Sequence, residues 1–326
     1  MKWGLYATGG IAEAFASDIR KLKDEKIVAA YARNEKKGRS FCEKHHIERF
    51  YNDENAFFSD SEIEVVYIST PHTLHAEGSI KALQAGKHVL CEKPFAMNAN
   101  EAKRVIAIAS EQKRFIMEAL WTLFLPTINK VFEWIAADRI GEVQVIHANF
   151  GFDGSKDPLG RLLNPDLGGG ALLDVGIYPV LMANFIAKST PESISAQVKF
   201  TETGVDGSTF VCARYPNGML ALLGASIEVN LINDLIIYGE KGRIVVPLFW
   251  MADEASCYYE DKVETFKSDE SSRRGYHYET QAVSDAIHNG QLQHDVVSHQ
   301  FTLDLMETLD RIRTEIGLVY KQDFES

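Results

Sequence analysis

The chain has 326 residues, 45% of them hydrophobic, with 34 Lys and Arg against 46 Asp and Glu, a formal charge of −12. That length allows about two domains whose cores need no covalent staples. An acidic surface repels nucleic-acid phosphates and anionic lipid, so neither nucleic acid nor membrane is expected as a partner.

The apolar runs read as short and broken by charge, which argues against a membrane span. Met1-Lys2-Trp3-Gly4 leads straight into a strand-like segment, without the apolar stretch of a signal peptide. Cys42, Cys91, Cys212 and Cys257 form no C-x-x-C pair. Each reads as a small buried hydrophobe, and a cytoplasmic location is expected. No His/Cys spacing suggests a metal, and His45-His46 reads as the surface of a charged helix. There are no repeats or low-complexity tracts.

Along the first third, strands and helices alternate. The apolar runs Trp3–Ala7, Ile27–Ala32, Val65–Ser69, Lys87–Cys91 and Phe115–Met117 read as strands. Between them lie helical patterns near Ile11–Leu22, Thr73–Ala85 and Asn100–Gln112, with a charged helix after Ala32. Such alternation predicts a parallel sheet covered by helices on both faces. The pattern changes after Glu118. A helix over about Pro126–Ala137 precedes a long strand near Glu142, a Gly/Pro/Asp-rich loop over Asp153–Gly170 and a helix over Ala171–Ala187. Strands separated by turn signals such as Pro216-Asn217-Gly218 then dominate to Lys267, predicting an antiparallel sheet. Helices near Tyr276–Asn289 and Ser298–Ile316 close the chain.

The first strand runs into Ala7-Thr8-Gly9-Gly10-Ile11-Ala12, a degenerate dinucleotide fingerprint with Ala7, Gly9 and Ala12 at the three glycine positions. Gly9 would admit a pyrophosphate to the N–H groups opening the first helix, and Ala12 would let helix and strand pack closely. Alone, the stretch reads equally well as an ordinary strand–turn–helix. The second strand ends Tyr31-Ala32-Arg33-Asn34, without the acid that binds a ribose 2′-hydroxyl in NAD enzymes. Lys36, Lys37 and Arg39 follow, and this basic cluster suits a 2′-phosphate, hence NADP over NAD. A solvated helix start is the alternative.

Two more clusters follow strand ends, where open α/β sheets bind ligands: Thr70-Pro71-His72-Thr73-Leu74-His75 and Cys91-Glu92-Lys93-Pro94. A Lys beside a nicotinamide can polarise a substrate oxygen, but Lys93 also fits a surface loop. Far away, Gly168-Gly169-Gly170-Ala171-Leu172-Leu173-Asp174-Val175-Gly176-Ile177-Tyr178 places Asp174 and Tyr178 four apart, on one face of a helix. Tyr178 could exchange a proton with a carbonyl/alcohol pair, or the two residues could be a dipole-capping acid and a core Tyr.

Together, in this order and over essentially the whole chain, these motifs resemble the Gfo/Idh/MocA oxidoreductases. The resemblance implies an N-terminal Rossmann domain (1–119) and a C-terminal α+β substrate-binding and dimerisation domain (120–326) with a large, mostly antiparallel sheet. It implies NADP-dependent hydride transfer at a carbinol or carbonyl carbon of a sugar or trans-dihydrodiol, in a homodimer or higher homo-oligomer formed through the C-terminal sheet. It makes Lys93 catalytic and Tyr178 the general acid/base, with Asp174 supporting them or binding substrate. Thr70, Pro71, His72, His75, Glu92 and Lys93 would line the cofactor beside Thr8, Gly9, Gly10, Ile11, Ala12, Arg33 and Lys37. Trp121 and Phe124 would wall the substrate, and the Lys93–Pro94 peptide is often cis in the family. Met117-Glu118-Ala119-Leu120-Trp121-Thr122 and Glu202-Thr203-Gly204-Val205-Asp206 resemble a subgroup with Tyr where many members have His at position 178. Leu123 departs from that subgroup's Arg, and the loop Asp153–Asp166 is distinct, so the substrate stays open. The rival readings are another sugar or polyol dehydrogenase of this fold and a non-catalytic NADP-binding regulator.

Overall fold

The computed structural model describes residues 1–154, 156–268 and 275–324. Ser155, inside the loop expected over Asp153–Gly170, lies outside the described residues, as do 269–274 and 325–326. In chain order the first elements are β1 (Lys2–Tyr6), α1 (Gly10–Asp18), β2 (Lys26–Tyr31), α2 (Glu35–His45), β3 (Arg49–Tyr51), α3 (Glu54–Phe58), β4 (Val65–Ile68), α4 (His75–Gln84), β5 (His88–Glu92), α5 (Ala99–Gln112) and β6 (Ile116–Ala119). They form a parallel sheet of order β3-β2-β1-β4-β5-β6, matching the alternation in the sequence. Central strands of such a sheet are covered on both faces. Accordingly Val65, Val66, Tyr67 and Ile68 are all buried, each aliphatic side chain contributing about 1.5–3 kcal/mol. Helix starts follow local chemistry: Asn34 and Asn98 accept hydrogen bonds from the N–H groups of Lys37 and Glu101. The sequence reading did not anticipate β3 and α3, three and five residues long, which are too short to show a period.

The remaining elements are α6 (Pro126–Ala136), β7 (Val143–Gly151), α7 (Ile177–Ala187), β8 (Ser193–Phe200), β9 (Asp206–Arg214), β10 (Leu220–Ser226), β11 (Asp234–Gly239), β12 (Gly242–Pro247), β13 (Glu254–Tyr259), β14 (Lys262–Lys267), α8 (Tyr276–His288) and α9 (His299–Ile316). The strands form one sheet of order β14-β13-β12-β11-β7-β10-β9-β8, antiparallel except that β10 runs parallel to β7. One face packs on α7 and the π-helical turn Leu172–Gly176 before it. The other leaves Phe210, Leu220, Leu222 and Tyr238 exposed.

The chain forms two compact units, Met1–Trp121 with Arg274–Leu303, and Thr122–Arg273 with Asp304–Ser326. This differs from the simple division at 119/120, because α8 packs on α1: the Asp18 carboxylate accepts the backbone N–H of His277 at 3.0 Å and lies 2.8 Å from its Nδ1. Only the tertiary contact assigns that late segment to the first unit.

Three other expectations are corrected. The stretch Pro165–Ala187 is long and apolar enough to cross a membrane, but 83% of its most apolar window is buried inside the protein, as in a core helix. His45 is buried with Nε2 2.9 Å from Glu13 Oε1, because α2 turns it toward α1; only His46 is exposed. Cys212 is exposed on β9, while Cys42, Cys91 and Cys257 are buried.

Candidate active site

In the first unit, the carboxyl ends of β1, β2 and β4 open onto a cavity of about 370 Å³ lined in part by Thr8, Arg33, Thr70 and Pro71. Four residues singled out from three separate stretches of sequence thus meet in one place. Ala7, at the first glycine position of the fingerprint, has φ 107°, so the turn keeps a glycine-like backbone at a cost of about 1–3 kcal/mol. Gly9 precedes α1, which has no side-chain cap, and a Cβ added at Gly9 or Gly10 would meet nothing within 4 Å. The protein's own packing therefore does not require these glycines. Space above uncapped helix N–H groups is what a pyrophosphate needs. Ala12 is fully buried, as the close helix–strand packing requires. Gly9→Val is expected to weaken dinucleotide binding about tenfold or more while leaving the melting temperature unchanged. Titration of intrinsic fluorescence and thermal melts would check this, and equal loss of both would refute the cradle.

The basic cluster divides. Arg33 faces the cavity, whereas Lys37 is exposed on α2 outside its lining. Arg39 is ion-paired to Glu35 at 2.8 Å and lies over the Phe50 ring.

The loop carrying Lys93 is held from two sides. Glu118 Oε1, on the neighbouring strand β6, accepts the Phe95 N–H at 2.9 Å. His75 places Nδ1 2.7 Å from the Pro94 carbonyl oxygen and Nε2 2.9 Å from that of Thr70, tying the two strand-end loops together. His75 is buried, and burial keeps its pKa below the ordinary value against the pull of both carbonyls. Its place is a brace between loops, a role its sequence position gave no sign of. His72 is buried beside it, ring centroids 5.7 Å apart. Glu92 is also buried and accepts the Tyr67 hydroxyl. The Lys93–Pro94 peptide is cis.

Two buried carboxyls of this unit were missed as such by sequence reasoning. Burial pushes Glu118 up to about 8 and Glu279 well above the usual carboxylate range. Both Glu279 oxygens are buried without a hydrogen-bond partner, which suits a neutral acid. Trp121, expected to wall the substrate, is buried with its ring 5.0 Å from Tyr276, so its indole serves the core.

In the second unit, Asp174 lies in the π-helical turn Leu172–Gly176 and Tyr178 in the first turn of α7. The simple i,i+4 geometry therefore does not hold across them, because π and α turns rotate differently per residue. Asp174 is buried, and Arg161 forks onto it, with Nη1–Oδ1 at 2.7 Å and Nη2–Oδ2 at 3.3 Å. The Tyr178 ring packs 5.6 Å from Phe150, which stacks on Trp250 at 3.7 Å. The segment is anchored by Asp206, whose Oδ2 accepts the Leu172 N–H and the Thr209 hydroxyl, each at 2.7 Å. Burial raises Asp206 to about 6. Phe124 is half-buried and Leu123 buried, so the departure from Arg falls in the core.

Residues 1–120 match the family model "Oxidoreductase family, NAD-binding Rossmann fold", and residues 128–245 match the "GFO/IDH/MocA C-terminal domain". The trans-1,2-dihydrobenzene-1,2-diol dehydrogenase of Mus musculus is 33% identical over 331 residues, 99% of each chain. The chain belongs to the Gfo/Idh/MocA oxidoreductase family. Its fold is shared with solved structures. An aldose-aldose oxidoreductase from Caulobacter crescentus superposes with a TM-score of 0.89 at 20% identity over 97% of both chains. KijD10, a 3-ketoreductase from Actinomadura kijaniata in complex with NADP and TDP-benzene, gives 0.88 at 23% identity over 97% of this chain and 98% of its own. In this Gfo/Idh/MocA oxidoreductase, the dinucleotide cradle and Lys93 belong to the first unit, and Asp174 and Tyr178 to the second.

Proposed function

We propose that the protein is an NADP-dependent dehydrogenase acting on a carbinol carbon of a sugar or trans-dihydrodiol. The observation that carries this reading is Lys93, fixed after β5 by the Glu118 and His75 hydrogen bonds, in a chain similar over 99% of its length to a dihydrodiol dehydrogenase. The bound nicotinamide supplies the hydride acceptor or donor. Thr8, Gly9 and the N–H groups opening α1 hold the pyrophosphate, and Arg33 meets the 2′-phosphate. Tyr178, entering oxidation as the phenolate, takes the substrate hydroxyl proton and becomes the phenol; in reduction the phenol returns that proton to the carbonyl oxygen. The Lys93 ammonium donates to a substrate oxygen and stabilises the negative charge it gathers. Asp174, with Arg161 paired to it, orients the substrate's neighbouring hydroxyls. Turnover with D-xylose, D-glucose and a trans-dihydrodiol, followed by nicotinamide absorbance, tests the reading. Tight NADPH binding without turnover on any polyol would favour the regulator instead.

Arg33→Ala is expected to raise the Kd for NADP by about tenfold to a hundredfold and leave NAD unchanged, since a hydrogen bond to a charged group is worth about 1.5–3 kcal/mol. Isothermal titration decides it, and equal losses for both cofactors would remove Arg33 from phosphate recognition. The exposed Phe210, Leu220, Leu222 and Tyr238 support a homodimer through this sheet face. The free cysteines suit a reducing cytoplasm.

A further inference from the structure

The cofactor cavity holds more charge than Arg33. Leu74, just before α4, and Glu77, Gly78 and Lys81 along it line the cavity at helical spacing, and Glu54 from α3 lines it too. Lys81 Nζ lies 2.8 Å from Glu54 Oε2 and 2.6 Å from Glu77 Oε1. The other Glu54 oxygen accepts the Tyr6 hydroxyl, and the Tyr6 ring stacks on Tyr31 at 5.0 Å. Both Glu54 oxygens are thus engaged, and its carboxyl stays below the usual range despite burial.

We infer that Lys81 is a specificity-determining residue for the cofactor: by holding Glu54 and Glu77, it keeps the pocket open to a 2′-phosphorylated dinucleotide. The inference rests on the NADP reading above and names a second residue for it. Glu54 and Glu77 are the kind of acids that accept ribose hydroxyls and repel a phosphate. With Lys81 in place, the cavity sets two cations, Arg33 and Lys81, against two carboxylates. Without it, one cation faces two carboxylates, and Glu54 Oε2 is released toward the pocket. The Lys81 side chain is about one-third exposed, so its effect on the pocket is screened by salt.

The test is cofactor affinity, measured by titration calorimetry on the intact protein for NADP and NAD at low and at moderate salt. Lys81→Met, which keeps most of the side-chain length, is expected to lower the NADP-to-NAD preference about tenfold, with the larger change at low salt. Lys81→Arg should retain the preference. Lys81→Met with Glu54→Gln, which leaves one cation against one carboxylate, should restore most of it. A preference unchanged in Lys81→Met, or an equal loss for both cofactors, would overturn the inference. The change in preference tests Lys81, whereas the wild-type preference itself tests the NADP reading: a wild type that favours NAD sinks that reading whatever Lys81→Met does.

Discussion

Tyr178→Phe is expected to lower kcat by about 10²–10⁴ while leaving NADPH affinity within about twofold, because it removes only the hydroxyl proposed to transfer the proton. The ring keeps its packing against Phe150, so the fold should not change. A loss of about a thousandfold corresponds to about 4 kcal/mol of transition-state stabilisation. Lys93→Met should fall in the same range by removing the proposed donor to the substrate oxygen. Stopped-flow measurement of the hydride step, with primary deuterium substitution at the carbinol carbon, separates chemistry from product release. If Tyr178→Phe retains a wild-type rate for the isotopically sensitive step, Tyr178 is not the acid/base.

Glu118→Gln is expected to make the protein more stable in alkaline solution. Burial holds Glu118 at about 8, against an ordinary value of 4.5. A folded-state pKa raised above the unfolded one means that the folded form keeps a proton the unfolded form releases. Its contribution to stability is therefore intact below about 4.5, falls as pH rises toward about 8, and levels off above. The slope in that window is at most about 1.4 kcal/mol per pH unit for one proton. Glutamine is neutral throughout and can still accept the Phe95 N–H. Wild type and variant should match near the lower end of the window and diverge by on the order of 2–4 kcal/mol at its upper end. Urea melts across the window measure this. Asp206, raised only to about 6, has lost its share by that pH, whereas Glu279, held well above the usual carboxylate range, loses stability with the same sign across the window, so Glu279→Gln should flatten the slope as well. An unchanged slope in Glu118→Gln would show that another group titrates.

Much of the site was legible in the sequence because its parts sit at strand ends. A short apolar run followed by Gly, Pro, Lys or His marks where a parallel strand delivers its loop, and the sheet order then collects those loops along one edge. Thr8, Arg33, Thr70 and Pro71 reached one cavity by that rule. What stayed hidden depends on long-range packing. His75 looked like a cofactor ligand until the fold placed two carbonyls on its ring nitrogens. Glu118 sat in a quoted motif, but only pairing of β5 with β6 set its carboxylate against the Phe95 N–H. Glu54 lies in a helix too short to read, so the Glu54–Lys81–Glu77 array had no local sign.

The sequence by itself determined the alternation of strand and helix, the change to hairpin-like strands, the glycines that leave a ligand room, and the reactive side chains at the strand ends. These are local properties, set by period, turn chemistry and the steric demands of single residues. The tertiary structure alone decided which charges are neutralised, which carboxyls are buried without partners, and that α8 joins the first unit through Asp18 and His277. Those depend on dielectric environment and on contacts between residues far apart in the chain, and no local pattern encodes either.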